Sequence, residues 1–122
     1  MGMDAKATIW VGVREEDCDI YSLMLKLPSD LLDENGDFFW LEHDIDRIVS
    51  VHGCNPVEIK CNNEICGFGV EVFTHDWDSG PQKFDTEQVC GKIAEAKLKL
   101  REFFDKCGIE DPVDVWCQTD WS

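Results

Sequence analysis

Basic side chains are scarce in this sequence: Lys and Arg number 11 against 26 Asp and Glu, a formal net charge of −15. Holding a polyanion takes a basic footprint, and none is visible, so DNA and RNA are excluded as expected ligands and an anionic membrane surface is disfavoured with them. Long apolar runs are missing too. No stretch approaches membrane-spanning length, and no positively charged start leads into an apolar region, so neither a transmembrane helix nor a secretory signal is expected. That reading places the chain in the cytoplasm of a bacterial or virus-infected host cell. There is no Cys-x-x-Cys pair, no glycine-rich phosphate loop, no internal repeat and no low-complexity tract. Met1 and Gly2 read as added residues ahead of a natural start at Met3, and Lys6 stands where a myristoylation signal wants Ser or Thr.

What is present suits a single domain over residues 1–122. That length buries most of the surface an unfolded chain exposes, so neither disulfides nor metal are needed for folding. The hydrophobic fraction of 43% is too high for disorder. Seven cysteines, an odd number, with Cys61, Cys90, Cys107 and Cys117 inside strand or helix patterns, read as small buried hydrophobes in a reduced protein.

The firmest element is a long amphipathic helix between Phe84 and Gly108. Asp85 is its N-cap, Gln88 closes a capping box, Phe84 is set to staple onto Val89, and Gly108 supplies a left-handed stop. Val89, Ile93, Ala96, Leu100, Phe103 and Cys107 recur at steps of four and three, with Cys90, Ala94 and Phe104 widening the stripe. A face this apolar needs a sheet beneath it. The helix carries five bases and five acids, so the whole negative excess, 21 acids against 6 bases, lies elsewhere.

Taken in order, residues 8–14 alternate as a half-buried strand and the acidic turn at 15–19 follows. Residues 20–27 alternate again, with Tyr21, Leu23, Leu25 and Leu27 inward, which predicts a second strand hairpinned to the first and ended by Pro28. Leu41, Ile45, Ile48, Val49 and His52 fit a short helix ending at Gly53, although Ile45, Arg47, Val49 and Val51 fit a strand nearly as well; the helix is the expectation. Residues 57–62 and 65–75 predict a hairpin, the loop 76–82 leads to the long helix, and Val113, Val115 and Cys117 form a last strand. The expected fold is α+β: about five mainly antiparallel strands with the long C-terminal helix and a shorter helix packed on one face.

Acid is densest between Glu15 and Asp46, where eleven carboxylates stand against Lys26 alone. Most charge runs are solvated surface, but these forgo the interspersed bases that ordinary surfaces use. Spaced carboxylates on a rigid body imitate a phosphate backbone and steer a basic partner inward, while an embedded aromatic supplies the anchor. The expected partner-binding residues are Glu15, Glu16, Asp17, Asp30, Asp33, Glu34, Asp37, Trp40, Asp44 and Asp46, together with the loop Asp76, Trp77 and Asp78. Tryptophans more often fold back onto a core than stand free.

Other chemistry is less well supported. The pairs Asp17 with Asp19, Asp44 with Asp46 and Asp76 with Asp78 resemble seeds of a divalent-metal site, but no calcium-loop spacing or phosphate cradle surrounds them. His52, Cys54, Cys61 and Cys66, with His75 near, lack zinc spacing. No oxyanion-forming motif accompanies a cysteine nucleophile. Gly67 and Gly69 precede strand, not helix, and so read as glycines for a bulge or close packing under the long helix.

These residues predict a non-enzymatic protein with no cofactor or metal, whose partner is a basic protein, itself nucleic-acid-binding, with a homodimer also open. Its role would be to inhibit that partner by occluding its nucleic-acid groove. Proteins of this size and charge include toxin-immunity proteins and viral anti-defence proteins such as anti-CRISPRs, an analogy of charge and size. The alternatives are a small metal-dependent or thiol enzyme, and an assembly subunit whose acid serves solubility.

Overall fold

A computed structural model describes residues 5–32, 45–62, 64–76 and 80–121, with residues 5, 120 and 121 placed by their backbone alone. The described elements are β1 (Ala5–Arg14), α1 (Ile20–Met24), α2 (Ile45–His52), β2 (Val57–Cys61), β3 (Glu64–Asp76), α3 (Thr86–Cys107) and β4 (Asp114–Trp121), with short 3₁₀ turns at Glu15–Asp17 and Ser29–Leu31. The fold is α+β. Its four-stranded antiparallel sheet has the order β2-β3-β1-β4, against the five strands expected.

The missing strand is residues 20–27, which form α1 and a following turn instead. Asp19 decides this locally, because its carboxylate accepts from the N–H groups of Tyr21 and Ser22 and so caps a helix. Packing agrees: Ile20, Leu23 and Leu27 are buried, at helical steps of three and four, while Tyr21 and Leu25 are 83% and 81% exposed. Of the four residues expected inward, Leu23 and Leu27 are and Tyr21 and Leu25 are not, and β1 pairs with β3 and β4, not with this segment.

The other elements stand where the sequence predicts them. Asp85 caps α3 by accepting from the Gln88 N–H, and Gly108 ends it at φ 74° in the left-handed region. The ring of Phe84 meets that of Phe73 edge-on at 5.2 Å. α2 buries Ile48 and turns the ring of His52 edge-on to Phe103 at 5.4 Å, leaving Ile45 and Val51 exposed.

Leu100, Phe103 and Phe104 of α3 pack with Val11, Val13 and Phe68 of the sheet and with Leu23, Leu27, Leu31 and Ile48, forming one core. Phe68 and Phe104 stack at 6.4 Å. Because Val11 and Val13 face that core, Trp10 between them points to the opposite face of the sheet. It is nonetheless 1% exposed, so β1 is buried on both sides and not half-buried as expected.

Two bulges in β3 explain how that second face is covered. The partner of β3 steps from Phe73 opposite Ile9 to Glu71 opposite Trp10, leaving Val72 unmatched. It steps again from Gly67 opposite Ile59 to Ile65 opposite Lys60, leaving Cys66 unmatched. Each extra residue bends the strand and increases twist, and the sheet curls until its outer strands approach. Gln118 Nε2 of β4 donates to the Lys60 carbonyl of β2 at 3.0 Å. The indole Nε1 of Trp10 donates to Gln118 Oε1 at 3.1 Å, and the Trp10 and Trp116 rings lie 6.0 Å apart. A Cβ at Gly67 would collide with the Trp10 indole, so the close packing expected of this glycine lies on the side away from α3.

Candidate functional site

β1 ends at Arg14, and the 3₁₀ turn that follows delivers Glu15, Glu16 and Asp17 to one end of the sheet. Arg14 folds back on them: its Nε and Nη2 donate to Asp17 at 3.1 and 3.2 Å, and Nη1 lies 3.6 Å from Glu16. Its guanidinium carbon sits 4.7 Å from the ring centroid of Trp116. The hydrogen bond to Asp17 leads the influences that hold the guanidinium even more firmly protonated than usual. Asp19 is committed to α1, where the Ser22 hydroxyl and the N–H groups of Ser22 and Tyr21 hold its carboxyl below the ordinary range.

α3 returns the chain to the same end. Arg101 donates to the Asp111 carbonyl at 2.6 Å and to the Ile109 carbonyl, which folds the post-helix loop into place before β4 starts at Asp114. A cavity of about 340 Å³ results, walled by Arg14, Asp17, Cys18, Asp111, Asp114 and Trp116. Burial pushes the Cys18 thiol up to about 11, with Asp111, Asp17 and Asp19 adding to the effect. Carboxylates separated by some ninety positions therefore act on one sulfur. An aromatic face ringed by carboxylates and already carrying a guanidinium is chemistry suited to cationic side chains.

The other predicted residues lie apart. Asp30 accepts from Arg47 at 3.2 Å and sits 2.9 Å from His52 Nε2. Burial works to raise its carboxyl, but the hydrogen bonds and charge of His52 and Arg47 prevail and hold it below its ordinary value. Asp46 is exposed in the first turn of α2. Asp76 pairs with Lys6 at the far end of β1 from Arg14, eight residues or roughly 25 Å along the strand. The structure thus brings Glu15, Glu16 and Asp17 together and does not bring Asp76 to them. Asp33, Glu34, Asp37, Trp40, Asp44, Trp77 and Asp78 lie outside the described residues.

Asp111, Asp114 and Trp116 were missed by sequence reasoning. The available signal was the alternation Asp114, Trp116, Gln118, which sets an acid, an aromatic and an amide on one face of a strand.

The residues weighed for zinc are dispersed: His52 is on Asp30, Cys54 is in the core, and Cys61 and Cys66 are on the β2–β3 hairpin with Cys66 Sγ 3.3 Å from Gln118 Oε1. Among the described residues no three His, Cys, Asp or Glu are grouped to hold a metal ion, and no helix is long and apolar enough to cross a membrane. The Cys54 thiol, like that of Cys18, is pushed up to about 11 by burial. No family model matches the chain, and no curated protein or solved structure matches it.

Proposed function

We propose that this chain is a non-enzymatic inhibitor that binds a basic, nucleic-acid-binding protein and occludes its nucleic-acid groove. The acidic end of the sheet is the contact surface. The observation that carries this reading is the convergence of Asp17, Asp111 and Asp114 around Trp116, within a chain of net charge −15. Carboxylates brought together from distant parts of a chain make a local field that neighbouring bases offset only in part, here through Arg14. Such a field raises the rate at which a cationic surface arrives, while a partly buried indole gives that surface something to pack on. The raised thiols of Cys18 and Cys54 weigh against thiolate chemistry near neutral pH at those two residues.

The experiment is capture of partners from a cell lysate on the immobilised chain, repeated at raised salt, followed by a nucleic-acid binding assay on whatever is retained. The expected result is a basic protein, released as salt rises, which loses nucleic acid when the chain is added in equal amount. Retained proteins that are not basic, or retention indifferent to ionic strength, would overturn the proposal.

A further inference from the structure

β3 runs for thirteen residues, but β2 pairs only with its first part, from Glu64 to Gly69. Over 70–76 β3 pairs with β1 alone, so among the described residues no strand lies along its other edge. The remaining edges of the sheet are differently placed. Those of β2 and β4 approach each other, bridged by Gln118 to the Lys60 carbonyl, with Cys61 Sγ 3.8 Å from the Thr119 carbonyl. A bare strand edge carries a row of backbone donors and acceptors able to take another strand.

This edge opens onto two cavities. One of about 220 Å³ lies between it and α3, against Val70, Val72 and Ala96, with Lys92 and Lys99 on the helix side. The other, of about 600 Å³, lies beside Lys6, Val57 and Lys60. Asn55, Val70 and Glu71 line both. At that shared wall the Oδ1 of Asn55 is buried and accepts no hydrogen bond. A buried acceptor without a donor is costly to keep, and beside a bare strand edge its natural complement is a backbone N–H arriving from outside.

We propose that the 70–76 edge of β3 is a peptide groove that takes an extended acidic segment of another protein by strand addition. The added strand continues the line of β2, and Asn55 Oδ1 accepts from one of its N–H groups. Its alternate side chains point to the helix side, where Val70, Val72 and Ala96 accept an apolar group. Charge selects the occupant. Lys99 is held by Glu95 at 2.9 Å, and Lys60 and Glu58 offset each other in formal charge, which leaves Lys6 and Lys92 against Glu71 around the two cavities, a small basic excess that reverses the balance over the whole chain. A second copy would bring another −15 to the same place and is opposed by that repulsion. This groove is separate from the acidic end and does not depend on the inhibitor proposal.

The test is titration of the isotope-labelled chain with a capped heptapeptide alternating Val and Glu, read by amide chemical shifts and amide hydrogen exchange. Shifts and slowed exchange should concentrate over 70–76 and at Asn55. The same peptide N-methylated on the residues that donate, and a counterpart alternating Val and Lys, should bind roughly tenfold more weakly. Asn55→Leu, with thermal unfolding checked, should weaken binding about fivefold. The proposal is overturned if the Val–Glu peptide leaves 70–76 unperturbed at millimolar concentration or if the lysine peptide binds equally well. It is also overturned if the amides of 70–76 that point away from β1 are already protected in the free chain, including in a concentration-dependent way that marks a second copy as the occupant.

Discussion

The carboxylate of Asp30 lies 2.9 Å from Nε2 of His52, twenty-two positions away, and 3.2 Å from Arg47, so the 3₁₀ turn at Ser29–Leu31 is fastened to both ends of α2. The folded state holds this carboxyl below its ordinary value. Its contribution to stability is therefore fully present above the pKa of an unfolded aspartate and is lost as pH falls through the lower, folded value. Asp30→Asn should cost about 1 kcal/mol at neutral pH, a figure reduced for the third of the side chain that remains exposed. Urea unfolding of both proteins should show that gap closing on acidification. A gap independent of pH would mean the pair does not act through charge.

Gln118 is the second place where the fold depends on one polar side chain. It accepts from the buried Trp10 indole and donates to the Lys60 carbonyl, tying the curled sheet together across its open side. Gln118→Ala strands an indole N–H that has almost no access to water, at a cost of about 2 kcal/mol. Tryptophan fluorescence should shift to the red as water reaches the ring, and both changes are measurable in one denaturant titration.

Much of this architecture could be read from the residues. The caps and period of α3, the β2–β3 hairpin and the short α2 rest on local signals that the packed structure did not override. The strand expected over 20–27 failed because apolar residues at 21, 23, 25 and 27 satisfy period two while Ile20, Leu23 and Leu27 satisfy the helical period, and only Asp19 distinguishes the two. Asp19→Ala should therefore release α1 locally. Faster amide exchange at Leu23 and Leu25, whose N–H groups bond to the carbonyls of Asp19 and Tyr21, is the expected readout. The acidic end was half legible: Glu15, Glu16 and Asp17 stand out as a charge run, whereas Asp111 and Asp114 meet them only because α3 carries the chain back to that end. No local pattern encodes that return.

Thiol reactivity offers a check that needs no partner: Cys54 is buried and Cys18 partly so, whereas of the cysteines expected as buried hydrophobes Cys61 and Cys107 are half-buried and Cys90 and Cys117 are exposed. Cys18 and Cys54 have thiols pushed up to about 11 from an ordinary value near 9.0, whereas Cys90 and Cys117 are exposed. Two units remove on the order of 100-fold of the thiolate at neutral pH. Brief alkylation at pH 7.5, mapped by peptide mass spectrometry, should label Cys90 and Cys117 while leaving Cys18 and Cys54 largely unmodified. Rapid labelling of Cys54 would instead show that the wall between α3 and the 53–55 segment opens.

The inhibitor proposal makes a spatial demand that the two ends of β1 allow to be tested within one molecule. Asp17, Asp111 and Asp114 stand at one end and Asp76 at the other, all of them acidic and equal in formal charge. If net charge alone draws the basic partner, Asp76→Lys and Asp114→Lys should slow association equally, since each changes the total by the same amount. If the surface around Trp116 is the docking site, Asp114→Lys should reduce the association rate by about tenfold at low salt and flatten its salt dependence, with Asp76→Lys close to the parent. Trp116→Ala separates anchoring from steering: it should leave the association rate nearly intact and raise the dissociation rate, because the indole acts only after contact. Stopped-flow association and dissociation rates for the three variants, with thermal unfolding showing that each is folded at the assay temperature, decide among these outcomes. Equal slowing by the two charge reversals would remove the acidic end as a distinct site.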